Sequence, residues 1–96
     1  MAAYLIVDVN IHDPETYERY KALAKPIAEK FGGKYLARGG DLVTVQDELW
    51  TPTRIVVIEF PDMAAAQAFT DSKEYQPVKE LRLASSKSTL VIIDGM

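Results

Sequence analysis

The chain has 96 residues, 48% of them hydrophobic and 26% charged, with a formal net charge of -3. This length and balance are typical of one soluble domain with a modest core, so we treat residues 1–96 as a single domain. Lysines and arginines are scattered among acidic residues, and without a basic stripe we expect no nucleic-acid partner. We expect no membrane segment and no signal peptide, because no apolar run is long enough and the first residues lack a basic start. Cysteine is absent, which excludes disulfides and thiolate chemistry and fits a cytoplasmic protein.

The first third of the chain predicts a strand followed by a helix. Between Tyr4 and Ile11 apolar residues alternate with others, so that one face of the strand is fully apolar and the other is mixed. Asp13 and Pro14 then indicate a helix start, because aspartate caps free N–H groups and proline is tolerated at the first helical position. Apolar and aromatic residues recur at helical spacing after this point and predict one buried stripe. Pro26 lies inside this helical pattern, and we expect it to kink or break the helix.

The rest of the chain repeats this order with more interruptions. Further strands are predicted at Lys34–Arg38, Arg54–Phe60 and Ser88–Asp94, with an additional extended piece at Leu42–Gln46. Asp62 and Ser72 are predicted to cap helical segments. Pro77 indicates that the helical chain breaks and restarts between Tyr75 and Val78. The inward-facing residues of these segments are expected to be Met63, Ala66, Phe69, Val78, Leu81 and Ala84.

The resulting order, two strand–helix–strand units in succession, predicts the fold class. Right-handed crossovers place the strands in one four-stranded antiparallel sheet with the helices on one face, a ferredoxin-like βαββαβ α+β sandwich. The helices can cover only one face, so the apolar residues of the other face stay exposed to water. An apolar surface of that size on a small protein usually marks an interface. We therefore expect a homodimer in which sheet packs on sheet.

Motifs spread along the chain resemble those of one family. They are Tyr4-Leu5-Ile6, Asp13-x-x-x-Tyr17, Gly32-Gly33-x-Tyr35-Leu36, Arg38-Gly39-Gly40, Trp50-x-Pro52-x-Arg54-x-Val56-Val57-x-Glu59-Phe60-Pro61, Ser72-x-x-Tyr75 and Leu81-Arg82. Together they are similar to the family known as domain of unknown function 1330, over essentially the whole chain. The resemblance implies a dimeric α+β barrel, in which two ferredoxin-like units pair their sheets. The wider grouping also holds cofactor-free monooxygenases, isomerases, and dye- or haem-handling proteins, whereas the activity of the family itself is unassigned.

Three arginines, Arg38, Arg54 and Arg82, are the first candidates for a ligand site. One interpretation is an anion site, in which guanidinium groups at the ends of strands and helices hold a carboxylate or enolate. The other is internal ion pairing of Arg38 or Arg54 with an acid such as Glu59, Asp8 or Glu48. We favour ion pairing, since structural ion-pair networks are common. Arg54 and Glu59 should not pair with each other, because they lie on opposite faces of a regular strand.

Aromatic residues and the single histidine are the remaining candidates. Tyr17 and Tyr20 on the first helix, with Tyr75, can place hydroxyls in a cavity and orient a phenolic or enolic ligand, although buried tyrosines are more often simply part of the core. Trp50 either covers a pocket or packs across a dimer interface, and we favour the interface. His12 could act as a general base, but a lone histidine at a strand-to-helix turn is more often solvated.

No metal site or cofactor is expected from the sequence. Metal binding needs several histidine or acidic ligands together, and no such set is visible. Gly39 and Gly40 follow a strand but open no helix, so they predict a turn and not a phosphate loop.

The functional prediction is a small homodimer that binds an anionic or aromatic ligand between sheet and helices. By analogy with the wider grouping, the enzymatic alternative is a cofactor-free monooxygenase or isomerase, with Arg38 or Arg54 stabilising an oxyanion and Tyr17 or Tyr20 positioning the substrate. The other alternative is a non-catalytic dimeric interaction or regulatory module.

Overall fold

The computed structural model describes residues 1–96 and contains four strands and three helices. In chain order they are β1 (Ala3–Ile11), α1 (Pro14–Lys30), β2 (Lys34–Arg38), β3 (Ile55–Phe60), α2 (Met63–Asp71), α3 (Tyr75–Ser85) and β4 (Ser86–Asp94). All strand pairs are antiparallel, and the sheet order is β2-β3-β1-β4. The helices pack on one side of this sheet, which confirms the predicted ferredoxin-like α+β fold.

The alternation in β1 separates the two faces of the sheet as predicted. Leu5, Val7 and Val9 are buried against the helices, whereas Ile6 and Asp8 lie half-exposed on the other face. No helix covers this second face, which we call the open face. It therefore keeps apolar side chains in contact with water, as the sequence pattern predicts.

Both aspartate caps are confirmed. The Asp13 carboxylate accepts a hydrogen bond from the backbone N–H of Thr16, and the Asp62 carboxylate accepts one from Ala65 at 2.8 Å. Ser72 ends α2, and its hydroxyl oxygen accepts the backbone N–H of Tyr75, the first residue of α3, at 3.2 Å. These bonds satisfy N–H groups that have no partner within the helix.

Neither proline breaks the chain where a break was predicted. Of the two outcomes predicted for Pro26, a kink or a break, the break is wrong, because α1 continues to Lys30. Pro26 and Ala22 both lie on the exposed side of α1, so the Ala22 carbonyl that loses its helical partner can bond to water. Pro77 does not break the chain after Tyr75 either, because it lies in the first turn of α3, where its missing N–H has no helical acceptor.

No strand forms at Leu42–Gln46, where the sequence predicts an additional extended piece. The segment between β2 and β3, residues 39–54, contains no regular secondary structure, and all of its first thirteen residues are exposed. A β-strand needs a neighbouring strand for its backbone hydrogen bonds, and none within the protomer lies beside this segment.

The last helix buries a different face from the one predicted. Its buried residues are Tyr75, Val78, Arg82 and Ser85, whereas Ala84 is exposed and Leu81 is only partly buried. The spacing of three, four and three residues is still helical. The stripe includes the charged residue Arg82, which a search for hydrophobic residues alone does not select. β4 follows directly at Ser86, two residues earlier than predicted.

Candidate functional site

Three tyrosines lie together between the sheet and the helices. Tyr17 and Tyr20 come from α1, and their ring centroids are 5.3 Å apart. Tyr75, at the start of α3, meets Tyr20 through a hydrogen bond between the two hydroxyls at 2.9 Å. Phe69 of α2 packs on the Tyr75 ring at 4.6 Å between centroids and supports it from behind. We call Tyr17, Tyr20 and Tyr75 the tyrosine cluster.

Arg54 reaches this cluster from the end of the long loop. Its Nη1 donates a hydrogen bond to the hydroxyl of Tyr17 at 3.3 Å, and its guanidinium carbon lies 5.2 Å from the centre of the same ring. The approach depends on Gly39, since a Cβ atom at that position would lie 2.5 Å from the Arg54 guanidinium carbon. Arg54 therefore points toward the helices, and Glu59 lies on the open face, as their opposite parity predicts.

Arg38 lies at the edge of the same region and joins β2 to α1. Its guanidinium stacks over the Tyr35 ring at 4.6 Å, and Nη2 donates to the backbone carbonyl of Lys21 at 2.7 Å. No carboxylate pairs with it: the ion pairs of the protein join Lys21 with Glu18 and Lys30 with Glu74.

Arg82 is the most buried of the three arginines, with 7% of its surface exposed. Nη1 donates to the hydroxyl of Ser88, but the buried Nε–H has no hydrogen-bond partner. None of the three arginines forms an ion pair, so the favoured interpretation of internal ion pairing is wrong. A buried guanidinium without a counter-charge is unusual, because burying an unpaired charge is energetically costly.

A small cavity lies beside the tyrosine cluster and Arg38, and neither Arg54 nor Arg82 is among its lining residues. Its volume is about 20 Å³, which is room for about one water molecule. The lining residues are Leu5, Val7, Tyr17, Tyr20, Lys21, Tyr35, Arg38, Val56, Ile58, Phe69, Tyr75 and Leu90. The wall is therefore mainly apolar, with phenol hydroxyls inside it and two cationic side chains, Lys21 and Arg38, among its lining.

Burial affects the ionisation of three tyrosines in this region. Removal from water raises the pKa of Tyr17, Tyr20 and Tyr35, since an ionised phenolate is poorly solvated there. For Arg82, burial by itself would lower the pKa, but the neighbouring oxygens of Tyr75 and Tyr20 outweigh it, and the pKa lies above its usual value. Arg82 is therefore a buried cation beside Tyr75 and Tyr20.

Three of the predicted site residues lie elsewhere. Glu59 is on the open face, where it pairs in register with Tyr4 of β1. Trp50 lies over the open face, and its indole N–H donates to the Asp8 carboxylate at 3.0 Å. His12 is exposed at the turn between β1 and α1. The structure brings together Tyr17, Tyr20, Tyr75, Arg38, Arg54 and Arg82.

Asp8 has a larger role than the sequence suggested. Its carboxylate accepts hydrogen bonds from the backbone N–H groups of Thr53 and Arg54, from the Thr53 hydroxyl and from Trp50. Partial burial by itself would raise the pKa of Asp8, but these four donors outweigh it and hold the pKa below its ordinary value. Asp8 therefore anchors the end of the long loop to β1 and so positions Arg54.

Lys21 and Ser88 were missed, and the buried position of Arg82 was not recognised. One signal was available for Arg82: it lies four residues after Val78, which was predicted to face the core. No signal was available for Lys21 or Ser88, because their roles depend on contacts with Arg38 and Arg82.

No group of three or more histidine, cysteine, aspartate or glutamate side chains is placed to hold a metal ion. None of the helices combines the length and apolar character that a membrane span requires.

Comparison with known proteins identifies a family for almost the entire chain. The sequence model described as domain of unknown function (DUF1330) matches residues 2–96. No curated protein matches the chain. Among solved structures, a protein of unknown function from Rhodopseudomonas palustris is similar with a TM-score of 0.76 at 20% identity, covering 99% of this chain and 82% of that one.

Two further solved structures are similar at lower identity. A dimeric ferredoxin-like protein of unknown function from Jannaschia sp. CCS1 has a TM-score of 0.74 at 17% identity, covering 99% of this chain and 100% of its own. SnoaB, a cofactor-independent oxygenase from Streptomyces nogalater, has a TM-score of 0.71 at 11% identity, covering 99% and 93%. At such identities these similarities establish the shared fold.

Proposed function

The chain belongs to the domain of unknown function 1330 family, and we propose that it is a cytoplasmic homodimer that binds a small anionic or aromatic ligand between its sheet and its helices. The observation that carries this proposal is Arg38, a guanidinium that lines the cavity and has no carboxylate partner. An anionic or electron-rich ligand beside it would supply the missing counter-charge. The cytoplasmic location rests on composition alone, in particular the absence of cysteine.

The lining of the cavity indicates the chemistry of the ligand. Apolar walls favour a ring or a short hydrocarbon body, and the hydroxyls of Tyr20 and Tyr75 can donate to an oxygen atom of the ligand. Arg38 can exchange its bond to the Lys21 carbonyl for a bond to a ligand carboxylate. A body larger than one water molecule requires this contact to open, because the cavity is about 20 Å³ in volume.

The dimer is supported by the amount of surface left exposed. The protomer exposes 6145 Å², whereas a typical monomer of 10.7 kDa exposes about 5,500 Å². The excess is about 600 Å², and each partner of a stable complex contributes about 800 Å² to the interface. The similar protein from Jannaschia is itself described as dimeric.

The ligand is tested by thermal shift and calorimetry with benzoate, salicylate, phenol and acetate. A ligand at about one hundred times its Kd should stabilise the folded protein by about 2.7 kcal/mol. Arg38→Met should weaken carboxylate binding at least about tenfold, because a charged hydrogen bond is lost. Arg19→Met is the matched control, since Arg19 is exposed on the same helix that carries Tyr17 and Tyr20. If no compound shifts the melting temperature, or if both variants bind equally, the ligand proposal is refuted.

A cofactor-free monooxygenase or isomerase is the enzymatic alternative. The hydroxyl pair of Tyr20 and Tyr75, with Arg82 and Arg54 nearby, is suited to stabilising an enolate or phenolate oxygen. The similar structure of a cofactor-independent oxygenase makes oxygen uptake the natural assay. Hydroxylated aromatics should then drive oxygen consumption that Tyr20→Phe reduces and Tyr4→Phe, on the open face, leaves unchanged.

A non-catalytic interaction or regulatory module is the third candidate. It is favoured by the small volume of the cavity, about 20 Å³, which is room for about one water molecule. For such a module the ligand panel and the oxygen assay would both be silent, while the protein would still form a dimer.

A further inference from the structure

The long loop between β2 and β3 exposes apolar side chains to an unusual degree. Val43, Val45 and Leu49 are 84%, 94% and 87% exposed. The pattern Val43-Thr44-Val45 alternates β-branched apolar and polar residues, which is typical of a half-buried extended segment. Nothing within the protomer buries it.

The same protomer carries a second apolar surface without a partner. On the open face a hollow of about 370 Å³ is lined by Ile6, Asp8, Trp50, Ile55, Thr89 and Val91. One wall is Trp50, which the Asp8 carboxylate holds in place. Val91, and Ile93 beyond it on β4, are each about half exposed. A protruding apolar segment and an apolar hollow thus lie on one chain.

We propose that, in the homodimer, each loop extends onto the partner subunit and its Val43 and Val45 side chains pack in the hollow of the partner's open face. This inference rests on the homodimer put forward under the proposed function. It adds that the loop segment with Val43 and Val45 forms part of the interface. An extended segment places Val43 and Val45 on one side and Thr44 on the other. Under two-fold symmetry the contact occurs twice. The loop of each subunit then fills the hollow of the other, and neither apolar surface stays exposed in the dimer. The excess exposed area of about 600 Å² is close to what one partner contributes to a stable interface.

The first experiment measures the dimer dissociation constant by sedimentation. Val45→Asp should raise it at least about tenfold, because a charge would be buried in an apolar hollow. Thr44→Asp is the matched control, since it adds the same charge to the neighbouring residue and should change the constant by less than about twofold. Both positions are exposed in the protomer, so circular dichroism should show that both variants fold. Equal dissociation constants for the two variants would overturn the inference.

The second experiment uses the natural absence of cysteine. Val45→Cys protein and Val91→Cys protein, each with a different mass tag, are mixed, refolded together and mildly oxidised. A disulfide between the two tagged chains is expected, whereas Val45→Cys paired with Leu23→Cys, on the helix layer, should give none. The double variant Val45→Cys/Val91→Cys should give linked dimers. A link within one chain would show that the loop covers its own face and would refute the exchange.

The oligomeric state separates the two levels of the proposal. A wild-type monomer would refute the homodimer and the loop exchange together. A wild-type dimer with no cross-link above the Leu23→Cys control would refute the exchange alone.

Discussion

Replacing Gly39 by alanine should displace Arg54 from the tyrosine cluster. Gly39 has φ of 72°, a left-handed conformation that costs a residue with a side chain about 1–2 kcal/mol. The new Cβ would also lie 2.6 Å from Nη2 of Arg54, well inside contact distance. The flexible arginine can swing away, but it then loses its hydrogen bond to Tyr17 and its position over the Tyr17 ring.

These effects set the expected magnitude. Loss of a partly exposed charged hydrogen bond costs about 1 kcal/mol, and loss of the cation–π contact costs about 0.5–1 kcal/mol. With the backbone strain, Gly39→Ala should lower the free energy of unfolding by about 2.5–4 kcal/mol. Gly40→Ala is the matched control, because a Cβ there meets nothing within 4 Å and the residue has no positive φ. It should stay within about 1 kcal/mol of the wild type.

Urea unfolding at one protein concentration measures both variants, and a double-mutant cycle with Arg54→Met separates the two causes. In the Arg54→Met background Gly39→Ala should cost only the strain, about 1–2 kcal/mol, because the collision is gone. If Gly39→Ala and Gly40→Ala cost the same, or if the cost of Gly39→Ala is unchanged without Arg54, the argument for Gly39 as the residue that admits Arg54 is wrong.

Two further predictions concern titration. The pKa of Asp8 is lowered in the folded state, so its stabilising effect is present above about pH 4 and is lost as pH falls through the folded-state value. Asp8→Asn should therefore destabilise the protein at pH 7 but not in strong acid. The fluorescence of Trp50, the single tryptophan, reports release of the loop. An equal loss of stability at both pH values would contradict this prediction. The pKa values of Tyr17, Tyr20 and Tyr35 are raised, so stability is complete below about pH 10 and falls above it as the unfolded chain loses protons first. The absorbance of phenolate should rise together with unfolding. If all five tyrosines form phenolate near pH 10 while the protein is still folded, the burial of Tyr17, Tyr20 and Tyr35 is refuted.

Much of the fold was predictable because local rules encode it. Alternation in β1 and the capping residues Asp13 and Asp62 depend only on near neighbours in the chain, and all three behaved as predicted. The wrongly predicted breaks at Pro26 and Pro77 have a local cause too. The effect of a proline depends on its position along the helix and on whether it lies on the exposed or the buried side. The sequence pattern placed neither Pro26 nor Pro77 correctly in these respects.

The candidate site was predictable only as a set of residue types. The sequence by itself determined that the chain carries one buried stripe per helix and a sheet with a mixed second face, because the periods of helix and strand assign residues to faces. Tertiary structure alone decided that Tyr20 meets Tyr75, 55 residues away, and that Arg54 meets Tyr17 and not an acid. Strand register and helix packing set those contacts. The same packing buries Arg82 without a counter-charge, because the fold brings no carboxylate close enough to pair with it.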